Sequence, residues 1–168
     1  TAALSYPPDR LQIQVLDDST DDTTQIAAYA VAHYGAHGVN IVMRHRDNRR
    51  GFKASALQQA LDTASGDMIA IFDADFVPSQ DFLLQTVPYL QDNPRLGAIQ
   101  TRWGHLNDEE SPLTAAQAIA LDKHFAIEQL IRHRANLFPK FNGAAGVWRK
   151  TAIIEAGGWQ DDTVCEDL

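Results

Sequence analysis

The apolar run Met68-Ile69-Ala70-Ile71-Phe72 stops abruptly at Asp73-Ala74-Asp75. A run of strand length with no polar alternation suits a central strand covered on both faces, and only helices cover a sheet that way in a chain of this kind. The flanking segments supply them. Leu11, Ile13 and Val15 alternate with Gln12 and Gln14, the two-residue period of a half-buried strand, and that strand ends at Asp17-Asp18. Ser19 and Thr20 followed by Asp21 and Asp22 predict a helix over Thr20 to His33, with carboxylates in the turn where the helix dipole favours them. A short apolar run, Val39 to Met43, follows; then Ala54, Leu57, Leu61 and Ala64 recur at helical spacing up to Gly66.

Beyond the aspartates the pattern predicts a helix about Gln80 to Leu90 and a strand about Leu96 to Thr101. A long amphipathic helix about Leu113 to Ala135 comes next, with Leu121, Ile127 and Ile131 read as core, and then a last strand around Val147. Gly104 to Pro112 is polar and acidic and reads as a surface loop. Strands and helices alternate, so the fold class is α/β with a mostly parallel sheet flanked by helices. A length of 168 residues allows one domain of ordinary size, and 45% hydrophobic residues are enough for a packed core.

Charge narrows the function. The net charge of -8 disfavours nucleic-acid binding through a broad basic face, so phosphate binding would need a metal or a few placed cations. The longest apolar stretch, Ile26 to Ala32, falls well short of the roughly 20 residues that cross a bilayer. Cys165 is the single cysteine, which excludes an internal disulfide, and no Cys/His pair has zinc spacing.

In α/β sheets, ligands gather at the carboxyl ends of the strands. Two strands here end in paired aspartates, Asp17-Asp18 and Asp73-x-Asp75. The second spacing puts both carboxylates on one side of an extended segment, where they repel unless a hard divalent cation such as Mg²⁺ or Mn²⁺ lies between them. Arg44, Arg46, Arg49, Arg50 and Lys53 form an isolated basic cluster. Lys53 opens a helix against the dipole, a cost that points to an anionic ligand such as phosphate. The six histidines, His33, His37, His45, His105, His124 and His133, are scattered and read as surface or core residues. Glu166 and Asp167 taken alone read as solvent-facing. Asn142 to Gly146 lacks the setting of a phosphate loop, though its small residues leave room for a ligand.

Taken in order, these motifs resemble the catalytic domain of family-2 glycosyltransferases with the GT-A type fold, most closely the cellulose-synthase-like branch that includes mannan and glucomannan synthases. The pieces are Val15-Leu16-Asp17-Asp18-Ser19, Arg46 to Ala54, Phe72-Asp73-Ala74-Asp75-Phe76-Val77-Pro78, Ile99-Gln100-Thr101-Arg102-Trp103, Phe141 to Arg149, and Ala156-Gly157-Gly158-Trp159 running to Val164-Cys165-Glu166-Asp167. The resemblance implies that Asp17 and Asp18 hold the nucleotide base or ribose and that Lys53 faces the diphosphate. It further implies that Asp73 and Asp75 hold the sugar nucleotide with Mg²⁺ or Mn²⁺, Asp75 being the direct metal ligand. Asn142, Gly143 and Ala144 match the loop beside the acceptor sugar. Asp167 matches the catalytic base of a Thr-Glu-Asp motif in which Cys165 stands in the threonine's place.

The implied reaction is inverting transfer of a hexose from GDP-mannose or UDP-glucose to a growing β-glycan. By the same resemblance the 168 residues are a single partial domain. An opening strand lies before Thr1, and a Gln-x-x-Arg-Trp motif and membrane helices lie outside it. The intact protein would then be embedded in a membrane, with its catalytic domain on the cytoplasmic face and the isolated piece inactive. A non-catalytic sugar-nucleotide-binding remnant stays open as an alternative. A sugar nucleotidyltransferase would carry a Gly-rich loop near its N-terminus, which is missing. A receiver-type signalling domain shares the paired aspartates, but its lysine follows the later aspartate, whereas Lys53 precedes Asp73.

Overall fold

The structure, a computed structural model, describes residues 1–162. Strands and helices alternate as their periodicity predicts: β1 (Ile13–Asp17), α1 (Thr23–Ala36), β2 (Ile41–His45), α2 (Phe52–Thr63), β3 (Met68–Ile71), α3 (Phe82–Asp92), β4 (Ala98–Gln100), α4 (Pro112–Lys123), α5 (Leu130–Arg134), β5 (Gly146–Arg149) and α6 (Lys150–Glu155). β1 and β2 pair in parallel through the α1 crossover, in a register that sets Asp17 opposite His45.

The second ladder runs β3-β5-β4, with β5 antiparallel to both neighbours. The strand predicted to be central, β3, is therefore at the end of its ladder, and β5 takes the middle. Gly146 permits this: a Cβ there would come within 2.5 Å of the Phe141 ring and 2.8 Å of the Ile99 carbonyl. Periodicity reports which faces are covered and says nothing about which strand lies alongside, so this exchange of places was not visible locally. The core forms where α3 lies on this ladder. Phe82, Leu83, Val87 and Leu90 pack with Val147, and Met68, Ala70, Phe72 and Ile99 close around them. Leu90 and Val147 are fully buried, worth roughly 1.5–3 kcal/mol each in apolar burial.

Two further expectations are corrected. The α1 helix begins at Thr23 rather than Thr20: the Asp17 carboxylate draws the Ser19 backbone N–H into the loop ahead of the helix and anchors the helix's first turn through the Thr24 hydroxyl. The helix predicted over 113–135 is interrupted by a π-helical stretch, His124–Gln129, and the residues expected to be core, Leu121, Ile127 and Ile131, are not, although Ala118 is buried. Ile127 is 51% and Ile131 59% exposed, and Leu121 is only half-buried. In contrast, Ala54, Leu57 and Leu61 of α2 are buried as their spacing requires. Among the described residues no helix is long and apolar enough to cross a membrane.

Candidate functional site

Both aspartate pairs stand at the carboxyl ends of β1 and β3, and they differ in character. Asp17 is only 7% exposed. Its Oδ1 accepts the Ser19 N–H at 3.2 Å, and its Oδ2 accepts the Thr24 hydroxyl at 3.0 Å and His45 Nδ1 at 2.7 Å. Burial alone would raise its pKa; the bonds from Ser19, His45 and Thr24 together outweigh it and bring the carboxyl down from 3.8 to about 2. Asp17 thus organises the loop after β1. His45 is the partner that the sequence reading missed, since only the β1–β2 register brings it within reach across 28 positions.

This pair predicts an acid-sensitive contribution to stability. A carboxyl whose pKa is depressed by folding stabilises the fold fully above its unfolded value of 3.8, and the stabilisation fades as pH falls towards about 2. Asp17→Asn is expected to cost about 2 kcal/mol at pH 7 and much less near pH 2. Thermal melts of both proteins across that range check it; a gap independent of pH would refute it.

Asp18 turns the other way, to Arg46. The guanidinium grips the carboxylate in two-pronged fashion, Nε reaching Oδ1 at 2.7 Å and Nη2 reaching Oδ2. The same side chain donates to the carbonyls of Arg50 at 3.3 Å and Phe52 at 2.8 Å. The Arg46 hydrogen bond holds Asp18 below the usual carboxylate range. The basic cluster therefore divides by job. Arg46 stitches the end of β1 to the loop before α2, and Arg44, Arg49 and Arg50 are exposed. Gly51 makes that loop possible: its φ is +67°, and a Cβ there would meet Asp161 Oδ2 at 2.6 Å.

Lys53, in the first turn of α2, reaches across the site. Its Nζ lies 2.8 Å from Asp73 Oδ1 and donates to the Gly143 carbonyl at 3.0 Å, so one ammonium joins the loop after β3 to the small-residue turn before β5. Asp73 and Asp75 sit on a turn closed by the Phe76 N–H to the Asp73 carbonyl at 3.1 Å, not on the extended segment that the spacing suggested. Asp75 is exposed and Asp73 half-exposed. Carboxylates on an open turn are hard oxygen donors of the kind Mg²⁺ and Mn²⁺ take. Among the described residues no group of three His, Cys, Asp or Glu gathers to enclose an ion, so the rest of its shell would come from water and ligand oxygens.

The turn Asn142 to Ala145 is held from every side. Gln100 Nε2 donates to the carbonyls of Ala144 and Ala145 at 3.1 and 3.3 Å, Thr101 Oγ1 to Ala145 at 2.6 Å, and Trp103 Nε1 to Ala144 at 3.3 Å. Ala145 has φ +53°, a conformation costing of order 1–2 kcal/mol that such bonds must hold in place. Gly143 and Ala144 are buried, so of the three residues expected near an acceptor only Asn142 keeps part of its surface. Beside the turn stands an aromatic group that the sequence reading left without a role: Trp103 meets Phe76 at 4.9 Å and Phe125 at 5.7 Å between ring centroids. Asp167 lies outside the described residues. A cleft of about 580 Å³ lined by Leu84, Pro88, Tyr89 and Ile99 contains none of the expected site residues.

The family model described as "Glycosyl transferase family 2" matches residues 1–155. The glucomannan 4-beta-mannosyltransferase 9 of Arabidopsis thaliana is 47% identical over 98% of this chain and 32% of its own length. A probable glucomannan 4-beta-mannosyltransferase 4 of Oryza sativa subsp. japonica is 46% identical over 99% of this chain and 31% of its own. The chain thus spans about a third of the length of these curated relatives. Among solved structures, the mannosyltransferase PcManGT from Pyrobaculum calidifontis, in complex with GDP-Man and Mn2+, superimposes with a TM-score of 0.74 at 25% identity, over 98% of this chain and 43% of that one. S. aureus TarS 1-349 in complex with UDP superimposes with a TM-score of 0.67 at 15% identity, over 99% of this chain and 46% of that one, a likeness of fold alone. A family match that runs through every described strand and all of the ordered motifs up to β5 is decisive, and the chain belongs to glycosyl transferase family 2, with its GT-A type α/β fold.

Proposed function

We propose that the protein to which this chain belongs transfers a hexose, with inversion, from a nucleoside-diphosphate sugar to a growing β-glycan, GDP-mannose being the first donor to test and UDP-glucose the second. The observation that carries this reading is the position of Lys53, whose ammonium stands between the Asp73 carboxylate and the Gly143 carbonyl. A cation there meets a diphosphate on one side and the acceptor turn on the other. The glucomannan mannosyltransferase relatives and the neighbour bound to GDP-Man and Mn2+ support a mannosyl donor and a divalent ion.

In this reading Asp18, tied to Arg46, borders the nucleotide, and Asp17 keeps that border in shape from within. Lys53 binds the diphosphate and offsets the charge that grows on it as the sugar departs. Asp75, with Asp73, would hold Mg²⁺ or Mn²⁺, which when bound supplies further neutralisation of the leaving diphosphate. Asp167 takes the proton from the acceptor hydroxyl as that oxygen attacks the anomeric carbon on the face opposite the leaving group, so configuration inverts in one displacement. The intact protein is membrane-embedded, with this domain on the cytoplasmic face.

The test is transfer of labelled mannose or glucose by membranes carrying the full-length protein. Incorporation into a β-linked product supports the reading, and none from either donor overturns it. The metal role has its own check. Because Asp73 and Asp75 repel a diphosphate until a cation bridges them, calorimetric titration of GDP should show binding with Mn²⁺ and at least tenfold weaker binding in EDTA. Equal affinity in both conditions would remove the metal from the site.

A further inference from the structure

Where the long helix loosens into its π-helical stretch, it reaches over to the acceptor turn. Such widened turns cost regular hydrogen bonding and are frequent at functional sites. This one brings His124 between two oxygens. Its Nδ1 lies 3.1 Å from Glu128 Oε2 and its Nε2 lies 3.2 Å from Asn142 Oδ1. Glu128 is in turn fixed by Lys123, with Nζ 2.9 Å from Oε1, and the Lys123 bond followed by that of His124 holds its carboxyl below the usual range. Both partners are acceptors, Glu128 as a carboxylate and Asn142 Oδ1 as an amide oxygen, so the ring spans them as an N–H donor on each side. The Phe125 ring meets the imidazole edge-on at 5.2 Å and limits its rotation.

What the bond to Asn142 does follows from what already holds the turn. The carbonyls of Gly143, Ala144 and Ala145 are taken by Lys53, Gln100, Thr101 and Trp103, and the Asn142 N–H donates to Gln100 Oε1 at 2.9 Å. These bonds hold the backbone of the turn without His124. Its contribution is the direction of the Asn142 side chain, the one polar side chain of the turn that keeps exposed surface; His124 holds its Oδ1 at 3.2 Å and Gln129 Nε2 reaches the same oxygen more loosely at 3.5 Å.

We propose that His124, oriented by Glu128, is a positioning residue that aims the Asn142 amide at the acceptor sugar. This rests on the transferase reading above and on Asn142 lying beside the acceptor. It sets aside the view of His124 as one of several unassigned histidines. An amide held in one orientation offers a donor and an acceptor to sugar hydroxyls, and a freely rotating one gives up part of that binding to lost side-chain entropy.

Steady-state kinetics of the full-length protein in membranes test it, with donor and a soluble β-1,4-linked mannose oligomer varied separately. His124→Phe keeps the ring bulk and removes both nitrogens. It is expected to lower kcat/KM for the acceptor about tenfold, with donor KM and the slow hydrolysis of donor by water unchanged. His124→Gln retains an amide N–H towards Asn142 and should recover most of the loss. Asn142→Ala should show the same acceptor-specific loss, and adding His124→Phe or His124→Gln to it should cost nothing further, because the histidine acts through that side chain. Equal losses for donor and acceptor, additive losses in the double variants, or no change in any variant would overturn the proposal while leaving the reaction standing. A wild type that transfers nothing to the oligomer from either donor overturns the reaction and this role with it.

Discussion

Asp167→Asn in the full-length protein is expected to lower sugar transfer by about 10²- to 10⁴-fold while donor affinity stays nearly unchanged. The split follows from the proposed role: a general base touches the acceptor hydroxyl and not the nucleotide. Asp75→Ala should lose both quantities, since the cation it would hold serves donor binding and leaving-group departure together. Glu166→Gln is the internal control, adjacent to Asp167 and alike in charge. Near-normal transfer by Asp167→Asn in membranes would show that the proton leaves by another route. The base would then have to be sought elsewhere among the acids of the domain.

Lys53→Ala is the second large effect expected, with a different signature. An ammonium bound to a diphosphate contributes about 1.5–3 kcal/mol as a charge-assisted hydrogen bond, so GDP affinity should fall roughly 10- to 100-fold. Guanosine lacks the phosphates and should bind the variant as it binds wild type. The Asp73 pairing adds a second sign: without the ammonium 2.8 Å away, that carboxylate keeps more of its charge for a cation, so Mn²⁺ binding in the absence of nucleotide should strengthen. Calorimetry with GDP, guanosine and Mn²⁺ alone reads all three. If GDP and guanosine weaken alike, Lys53 is a structural link between α2 and the turn at Gly143 and has no phosphate role.

Arg46 ties the second of these expectations to the fold. Its guanidinium fastens Asp18 to the carbonyls of Arg50 and Phe52, and Phe52 immediately precedes Lys53. The lysine's reach to Asp73 therefore starts from a backbone anchored at the end of β1. One side chain thus joins Asp18 and the backbone next to Lys53, the nucleotide border and the phosphate cation of the proposed function. A lysine in place of Arg46 would hold the charge but not the fork, and so could not make all of these bonds.

Much of this was legible in the sequence because it depends on short-range pattern. The alternation of Leu11, Ile13 and Val15, the three-and-four spacing of Ala54, Leu57 and Leu61, and the unbroken run from Met68 to Phe72 each report burial along one element, and each element forms within a few residues of its expected span. Carboxylates at strand ends and a lysine opening a helix were visible for the same reason: their meaning lies in the residues next to them. Tertiary structure alone decided what met what. It placed β5 between β3 and β4, because strand order depends on which backbones come within hydrogen-bond distance, and Gly146 allows close approach there. It buried Asp17 against His45 through the register of two parallel strands, which makes that carboxylate an internal brace of the loop after β1. It left Ile127 and Ile131 exposed, since an apolar helix face becomes core only where another surface lies against it. It also brought His124 to Asn142 through a π-helical widening, a contact between side chains 18 positions apart that neither neighbourhood encodes.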